Sequence, residues 1–364
     1  MNVPPRVRNE KDISACGISA IMCETRERFS GEAVIRSITN MHERSNGLGG
    51  GFAAYGIYPD HADRYALHLA YESPAARQAT EALLAERCDV ADDEPIPTRP
   101  VAAISDPPIL HRYFVRIKPD LPGSDGRLTE DDHIVALHMK INADVDDAFV
   151  YSSGKNMGSF KGVGYPEDIG EFFRLDQYEA WTWIAHGRFP TNSSAWWGGA
   201  HPFGLLDWAI VHNGEISSYG INRRYLASFG YHCTLQTDTE VITYLFDLLI
   251  RKHGLPLEAA CTAMAPPFWE EMQRLPEAER RRDQALRAVY GGALLNGPFA
   301  VVVGHGGGMI GFSDRIKLRP MVAARKAQWL YIASEEAAIR EVCADPETVW
   351  HPDGGEPVIG TLRS

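Results

Sequence analysis

No C-x-x-C pair occurs in this chain of 364 residues, and its six cysteines (Cys16, Cys23, Cys88, Cys233, Cys261, Cys343) are widely scattered. That spacing argues against a zinc or iron–sulfur site, and against a disulfide framework in a chain this long. No apolar run approaches the roughly 18 residues that a membrane helix needs. The first residues, MNVPPRVRNEKDISA, are basic but lack the apolar core of a secretory signal. Positive charge is also scarce, with 36 Lys and Arg against 48 Asp and Glu and a formal net charge of −12. The short basic stretch ERRRDQALR (279–287) reads as a solvated helix face, so nothing points to nucleic acid or an anionic membrane. A reducing, cytoplasmic setting is expected.

What is present is an ordinary globular balance, 45% apolar and 23% charged, in a length sufficient for about two or three average domains. Residues 16–23, CGISAIMC, read as a strand, and SGEAVIRSITNMHERS as a helix with Ser30 as candidate N-cap. Pro74 opens a second helix. DDEPIPTRP reads as a surface connection, and HRYFVRIKPD, HIVALHMKINAD and DAFVYSSGKNMG as strands. Further on, PEDIGEFFRL reads as a short helix, and WTWIAHGRF, WAIVHNGEI and FAVVVGH as strands. DTEVITYLFDLLIRKHG and PEAERRRDQALRAVYGG read as helices closed by glycine. Strands and helices cluster more than they alternate, which favours stacked antiparallel sheets with helices outside.

Several tempting motifs lead nowhere. NGLGGG (46–51) and GHGGGMIG (304–311) lack the Lys-Ser/Thr of a phosphate loop and read as turns. NADVDDAF (142–149) lacks the glycine and distal glutamate of a calcium loop. His186, His201 and His212 show no H-E-x-x-H spacing, so hydrogen-bonded core histidines are expected and no metal site.

Four positions carry possible chemistry, each with a plainer reading. Cys16 is either a nucleophile or a small buried thiol. Arg188, at a strand end beside Thr191, is either a carboxylate clamp or a surface arginine. Asn213-Gly214 is either an oxyanion site or a hairpin turn. Asp238, at the start of an amphipathic helix, is either a partner for an ammonium or a cap.

Taken in order, CGI (16–18), RFPTN (188–192), HNGEI (212–216), TDTE (237–240) and IASEEAA (332–338) resemble the class II glutamine amidotransferases of the N-terminal nucleophile type. More narrowly, GGFAAYGIYP, SSGKNMGSFKGVGYPEDI, WWGGAHPF and HNGEISSYGINRRYL resemble the separate amidotransferase domain of archaeal-type glutamate synthases. The resemblance implies an α+β fold, a four-layer αββα sandwich, over residues 16–364, preceded by a leader of residues 1–15. It implies Cys16 as nucleophile and Asn213 and Gly214 as oxyanion hole. Arg188 with Thr191 would hold the α-carboxylate of glutamine, and Asp238 its α-ammonium. Many family members begin at Met-Cys, so the Cys16 α-amine is available as base only if the leader is removed.

The implied function is a glutaminase subunit, oligomeric and without a cofactor of its own. It would pass ammonia to a synthase on another chain that carries FMN and an iron–sulfur cluster. Two alternatives stay open: another acceptor, as in N-methylglutamate synthesis, or an unprocessed glutamine-binding regulatory subunit.

Overall fold

The computed structural model describes residues 15–121, 128–189 and 195–363. Gly17–Cys23 is buried at every position and lies at the centre of a seven-stranded sheet. The strand order is Thr348–Trp350, Val322–Lys326, Trp329–Ala333, Gly17–Cys23, Thr182–Gly187, Gly50–Tyr55 and Met157–Gly162. Its central strands are continuous runs of apolar and small residues, the composition expected where both faces of a sheet are covered. Ile18, Ala20 and Met22 point to one face, and Ile21 to the other.

The face carrying Ile18, Ala20 and Met22 packs on a five-stranded sheet. That sheet runs Phe203–Leu205, Trp208–Gly214, Phe299–His305, Gly308–Ser313 and Val358–Thr361. Val211, Val302 and Met309 of this sheet meet Met22, Ala53, Tyr55 and Ile184 of the other in one apolar interior. Contact is close at Gly304, where a Cβ would stand 2.4 Å from Tyr55 Cε2. Helices Glu32–Thr39, Pro166–Phe172 and Glu336–Arg340 cover the outer face of the seven-stranded sheet. Helix Asp238–Phe246, continued by a π-helical segment Asp247–Lys252, covers the outer face of the five-stranded one. The fold is thus mixed α and β, and every recorded pairing in these two sheets is antiparallel.

A further four-stranded sheet was not anticipated. Its order is Cys88–Pro95, Ile109–Ile117, Tyr65–Tyr71 and Ala148–Ser152, and helices Pro74–Arg87 and Glu130–Asp144 accompany it. Strand Ala148–Ser152 packs against Met157–Gly162 and Phe203–Leu205, which are edge strands of the two larger sheets. Edges that would otherwise invite association are thereby covered.

Three local expectations differ from the structure. HIVALHMKINAD is helical, not a strand, because Thr129 and Asp132 form a reciprocal capping box ahead of it. Its buried residues Ile134, Leu137, His138 and Ile141 then fall on helical spacing. The segment read as a connection begins as strand Cys88–Pro95, a largely exposed edge whose charge and terminal proline suit that position. The helix after Ser30 starts at Glu32 with Gly31 as N-cap, although the Ser30 hydroxyl still accepts the Glu32 N–H at 3.2 Å. Pro74, PEDIGEFFRL, the Gly254 helix stop and the turn between Phe299–His305 and Gly308–Ser313 lie as expected. Among the described residues, no helix is long and apolar enough to cross a membrane.

The interior between the two sheets should carry much of the stability. Ile184→Ala, at a fully buried position there, is expected to cost about 2–5 kcal/mol in urea unfolding. Ile221→Ala, on an exposed helical site, should cost under about 0.5 kcal/mol. Equal losses would contradict this placement of the core.

Candidate active site

Several chain segments converge at one end of the two facing sheets. Gly17 pairs directly with Gly187, so Cys16 just before one strand lies beside Arg188 and Phe189 just after the other. The Phe189 N–H donates to Cys16 Sγ at 3.4 Å. From the facing sheet, Trp208–Gly214 delivers Asn213 and Gly214, and helix Asp238–Phe246 delivers Asp238. Cys16, Arg188, Asn213, Gly214 and Asp238 line a single cavity of about 520 Å³. Thr191, the remaining sequence candidate, lies outside the described residues.

Cys16 is only partly buried, whereas the other five free cysteines are buried. Desolvation pushes its thiol above the usual range, and Asp238 pushes the same way. The Phe189 N–H and the guanidiniums of Arg188 and Arg319 pull down without winning. The resting group is therefore a thiol, and a nucleophile made from it needs a proton acceptor. Arg188 donates to the Leu48 carbonyl at 3.5 Å; burial lowers its pKa and Cys16 opposes that.

Asn213 is 1% exposed, and its side-chain amide nitrogen has no hydrogen-bond partner among the described residues. A buried amide donor without an acceptor costs about 1–3 kcal/mol, so it is expected to serve something that enters. Gly214 has φ +149°, and a Cβ there would stand 2.0 Å from the Pro298 carbonyl oxygen, so only glycine fits. The hairpin reading of Asn213-Gly214 fails, since both close a strand that pairs through Asn213↔Ala300 and Gly214↔Phe299 and then leads to helix Tyr219–Ala227.

Asp238 does not cap its helix; the Thr237 hydroxyl does, accepting the Thr239 N–H at 3.3 Å. The Asp238 carboxylate instead accepts from the Ile216 N–H (3.0 Å) and the Thr239 hydroxyl (3.3 Å), with His212 Nδ1 at 3.4 Å. Burial pushes this carboxyl up, but His212 and these hydrogen bonds outweigh it and hold it below the usual range. It remains an anion.

The three histidines are hydrogen-bonded in the core. His186 Nε2 donates to the His212 carbonyl at 3.0 Å, while His201 Nε2 and His212 Nδ1 approach Thr239 Oγ1 at 2.8 and 3.2 Å. Burial drops His186 to about 3 and His201 well below its ordinary value. Among the described residues, no group of three or more His, Cys, Asp or Glu is placed to hold a metal ion.

Sequence reasoning missed two features. Arg319 lines the cavity, yet no spacing links it to Cys16; the order of strands in the seven-stranded sheet brings it there. Behind the wall lie two buried ionisable side chains, Lys161 and Glu240. Lys161 Nζ donates to the Gly198 carbonyl at 3.0 Å, and burial pulls it to about 7 against the attraction of Glu240. Burial pushes Glu240 up to about 7, while its carboxylate accepts the N–H groups of Thr234 and Leu235. Glu240 thus braces the segment 234–237, of which Leu235, Gln236 and Thr237 face the cavity.

Comparison with known proteins adds to this geometry. Residues 75–230 match the family Glutamine amidotransferases class-II, a span that includes Arg188, Asn213 and Gly214. An uncharacterized protein of Archaeoglobus fulgidus is 50% identical over 98% of this chain and 94% of its own. A "Putative glutamine amidotransferase" of Methanothermobacter thermautotrophicus is 25% identical over 90% of this chain and 93% of its own. Glutamine–fructose-6-phosphate aminotransferase of Pseudomonas putida is 28% identical over 50% of this chain but only 28% of its own length.

The buried histidines set an acid limit. His68, His138 and His186 each sit near 3 in the folded protein against an ordinary 6.5, so the unfolded chain binds more protons between those values. Stability is therefore fully present above about pH 6.5 and falls as pH drops toward 3, by on the order of 1 kcal/mol per pH unit per histidine. Urea midpoints at pH 7, 6 and 5 check this. A midpoint that rises on acidification would show the rings charged in the fold.

Proposed function

The chain belongs to the class II glutamine amidotransferases, and from that premise we propose that it is the glutaminase subunit of a glutamate-synthase-like assembly. The observation that carries the reading is the buried amide of Asn213, without a partner among the described residues, in a side chain that lines the same cavity as Cys16, Arg188 and Asp238. Arg188, with Thr191, holds the α-carboxylate of glutamine, and Asp238 holds the α-ammonium, so each charge of the zwitterion has a partner when water is displaced.

Sγ of Cys16 attacks the side-chain carboxamide carbon. The oxyanion that forms accepts hydrogen bonds from the Asn213 amide and the Gly214 N–H. The carbon–nitrogen bond then breaks, ammonia leaves, and water releases glutamate from the γ-glutamyl thioester. The α-amine of Cys16 takes the thiol proton and returns it to the leaving nitrogen. This role requires removal of residues 1–15 as a leader. The facing sheets with helices on their outer sides are read as the four-layer αββα sandwich of N-terminal nucleophile hydrolases. Ammonia passes to a synthase on another chain, which would carry the FMN and iron–sulfur cluster. Alternative acceptors, as in N-methylglutamate synthesis, keep the same half-reaction.

A second reading keeps Ala15 bonded to the Cys16 nitrogen. In a chain that keeps it, that nitrogen is an amide and no base, and the protein would bind glutamine as a regulatory subunit without turnover.

Cys16→Ala is expected to abolish glutamine hydrolysis, while Cys23→Ala, a buried thiol beside Thr25, leaves it largely intact. Equal loss in both sinks the assignment. Asn213→Ala should lower kcat by about 10²–10³ with little change in KM. Intact mass of the native protein separates the two readings: loss of residues 1–15 supports the enzyme, and their retention supports the regulatory subunit.

A further inference from the structure

Arg319 lines the Cys16 cavity, and the loop that carries it continues outward onto an unusual surface. Within that loop Ile316 and Leu318 are 56% and 54% exposed. Phe268 and Trp269, 38% and 54% exposed, are linked to the loop through Arg315, which lies over the Phe268 ring at 4.7 Å, and Arg287 lies over Trp269 at 4.1 Å. Large apolar side chains grouped on a surface mark interaction sites more often than the same residues scattered singly.

The charge pattern is the second observation. In a chain of net charge −12, Arg287, Arg315, Lys317 and Arg319 form no ion pair with a described residue. The recorded partners of the two stacked arginines are neutral: Arg287 donates to the Pro267 carbonyl at 2.9 Å, and Arg315 to the Asn296 side-chain oxygen at 2.7 Å. Three nearby carboxylates are engaged elsewhere, while Asp353 stands exposed beside the loop. Glu270 pairs with Arg274, and Glu271 accepts the Phe268 N–H. Asp314 accepts three backbone N–H groups, from Phe299, Ile316 and Leu318, which also fixes the loop. Burial and the like charge of Arg315 both lower the Arg287 pKa, the sign of a cation lacking a counter-charge.

We infer that this face, with Trp269 and Leu318 as apolar anchors and Arg287 and Arg315 as charged ones, docks an acidic surface of the polypeptide that receives the ammonia; the inference rests on the proposed function. Trp and Arg are the side chains that most often anchor interfaces, and carboxylates on the partner would complete charges that the chain itself leaves unmatched. Because the loop reaches the cavity through Arg319, a partner seated here sits against the catalytic pocket, where ammonia emerges.

The test uses the full chain purified from its source cells with the polypeptide that couples glutamine consumption to nitrogen incorporation, and the complex reassembled from separated subunits. Arg287→Glu/Arg315→Glu and, independently, Leu318→Glu are each expected to raise the Kd at least about tenfold. Glutamine hydrolysis by the free chain should not change. Arg287→Lys/Arg315→Lys should retain binding, and added salt should weaken it. An unchanged Kd in both disruptive variants overturns the proposal. So does a complex whose second component is another copy of this chain, or recovery of no coupling polypeptide. Failure of the functional reading is seen separately, as a wild-type complex that hydrolyses no glutamine.

Discussion

The antiparallel pairing of Gly17–Cys23 with Thr182–Gly187 is the constraint on which the site depends. It sets Gly17 opposite Gly187, and so places Cys16 and Arg188 on adjacent strand ends. The same register sends Ile18, Ala20 and Met22 into the interior shared with the second sheet. A slip of one residue would turn those side chains toward the helices and move Arg188 along its strand by about 3.3 Å. Core burial therefore enforces the geometry of the candidate site, because the apolar pattern that stabilises the sheet also fixes which residues leave its end.

Around that strand end, the polar groups divide by whether the protein satisfies them. The Asp238 carboxylate takes two hydrogen bonds with His212 beside it, and it is held as an anion against its burial. The Glu240 carboxylate is likewise engaged, by the backbone of Thr234 and Leu235. The Asn213 amide nitrogen is buried and has no partner among the described residues, as is true of one ring nitrogen each of His186, His201 and His212. In a low-dielectric cavity an oriented donor is worth more than in water, and leaving it empty costs more. Such a donor is fixed before reaction begins, so no reorganisation is needed when negative charge appears.

Much of this was legible in the sequence, and the limits have physical causes. Cys16, Arg188, Asn213, Gly214 and Asp238 each lie at the end of a strongly patterned strand or the start of an amphipathic helix, and they meet in one cavity. The four-stranded sheet was legible only in part: HRYFVRIKPD and DAFVYSSGKNMG read as strands, but the edge strand Cys88–Pro95 is too exposed and charged for hydrophobic patterning to reveal. The helix Glu130–Asp144 was misread because its apolar run is compatible with either period, and only the Thr129–Asp132 capping box decides. Arg319, Lys161 and Glu240 depend on strand order and burial, which local sequence does not encode.

The electrostatics of the cavity also bear on how its thiol is activated. With His186 and His201 held neutral by burial, the nearest fixed charges acting on Cys16 are Arg188, Arg319 and Asp238. The two cations favour a thiolate, and they are still outweighed by desolvation. Because burial favours the thiol, the proposed mechanism needs a proton acceptor near the sulfur. Under the proposed mechanism that group is the cysteine's own amine, whose pKa of about 8 is well suited to exchanging a proton with the thiol. Under the same proposal Arg188 holds the carboxylate of glutamine, and reactivity would depend on a free Cys16 nitrogen.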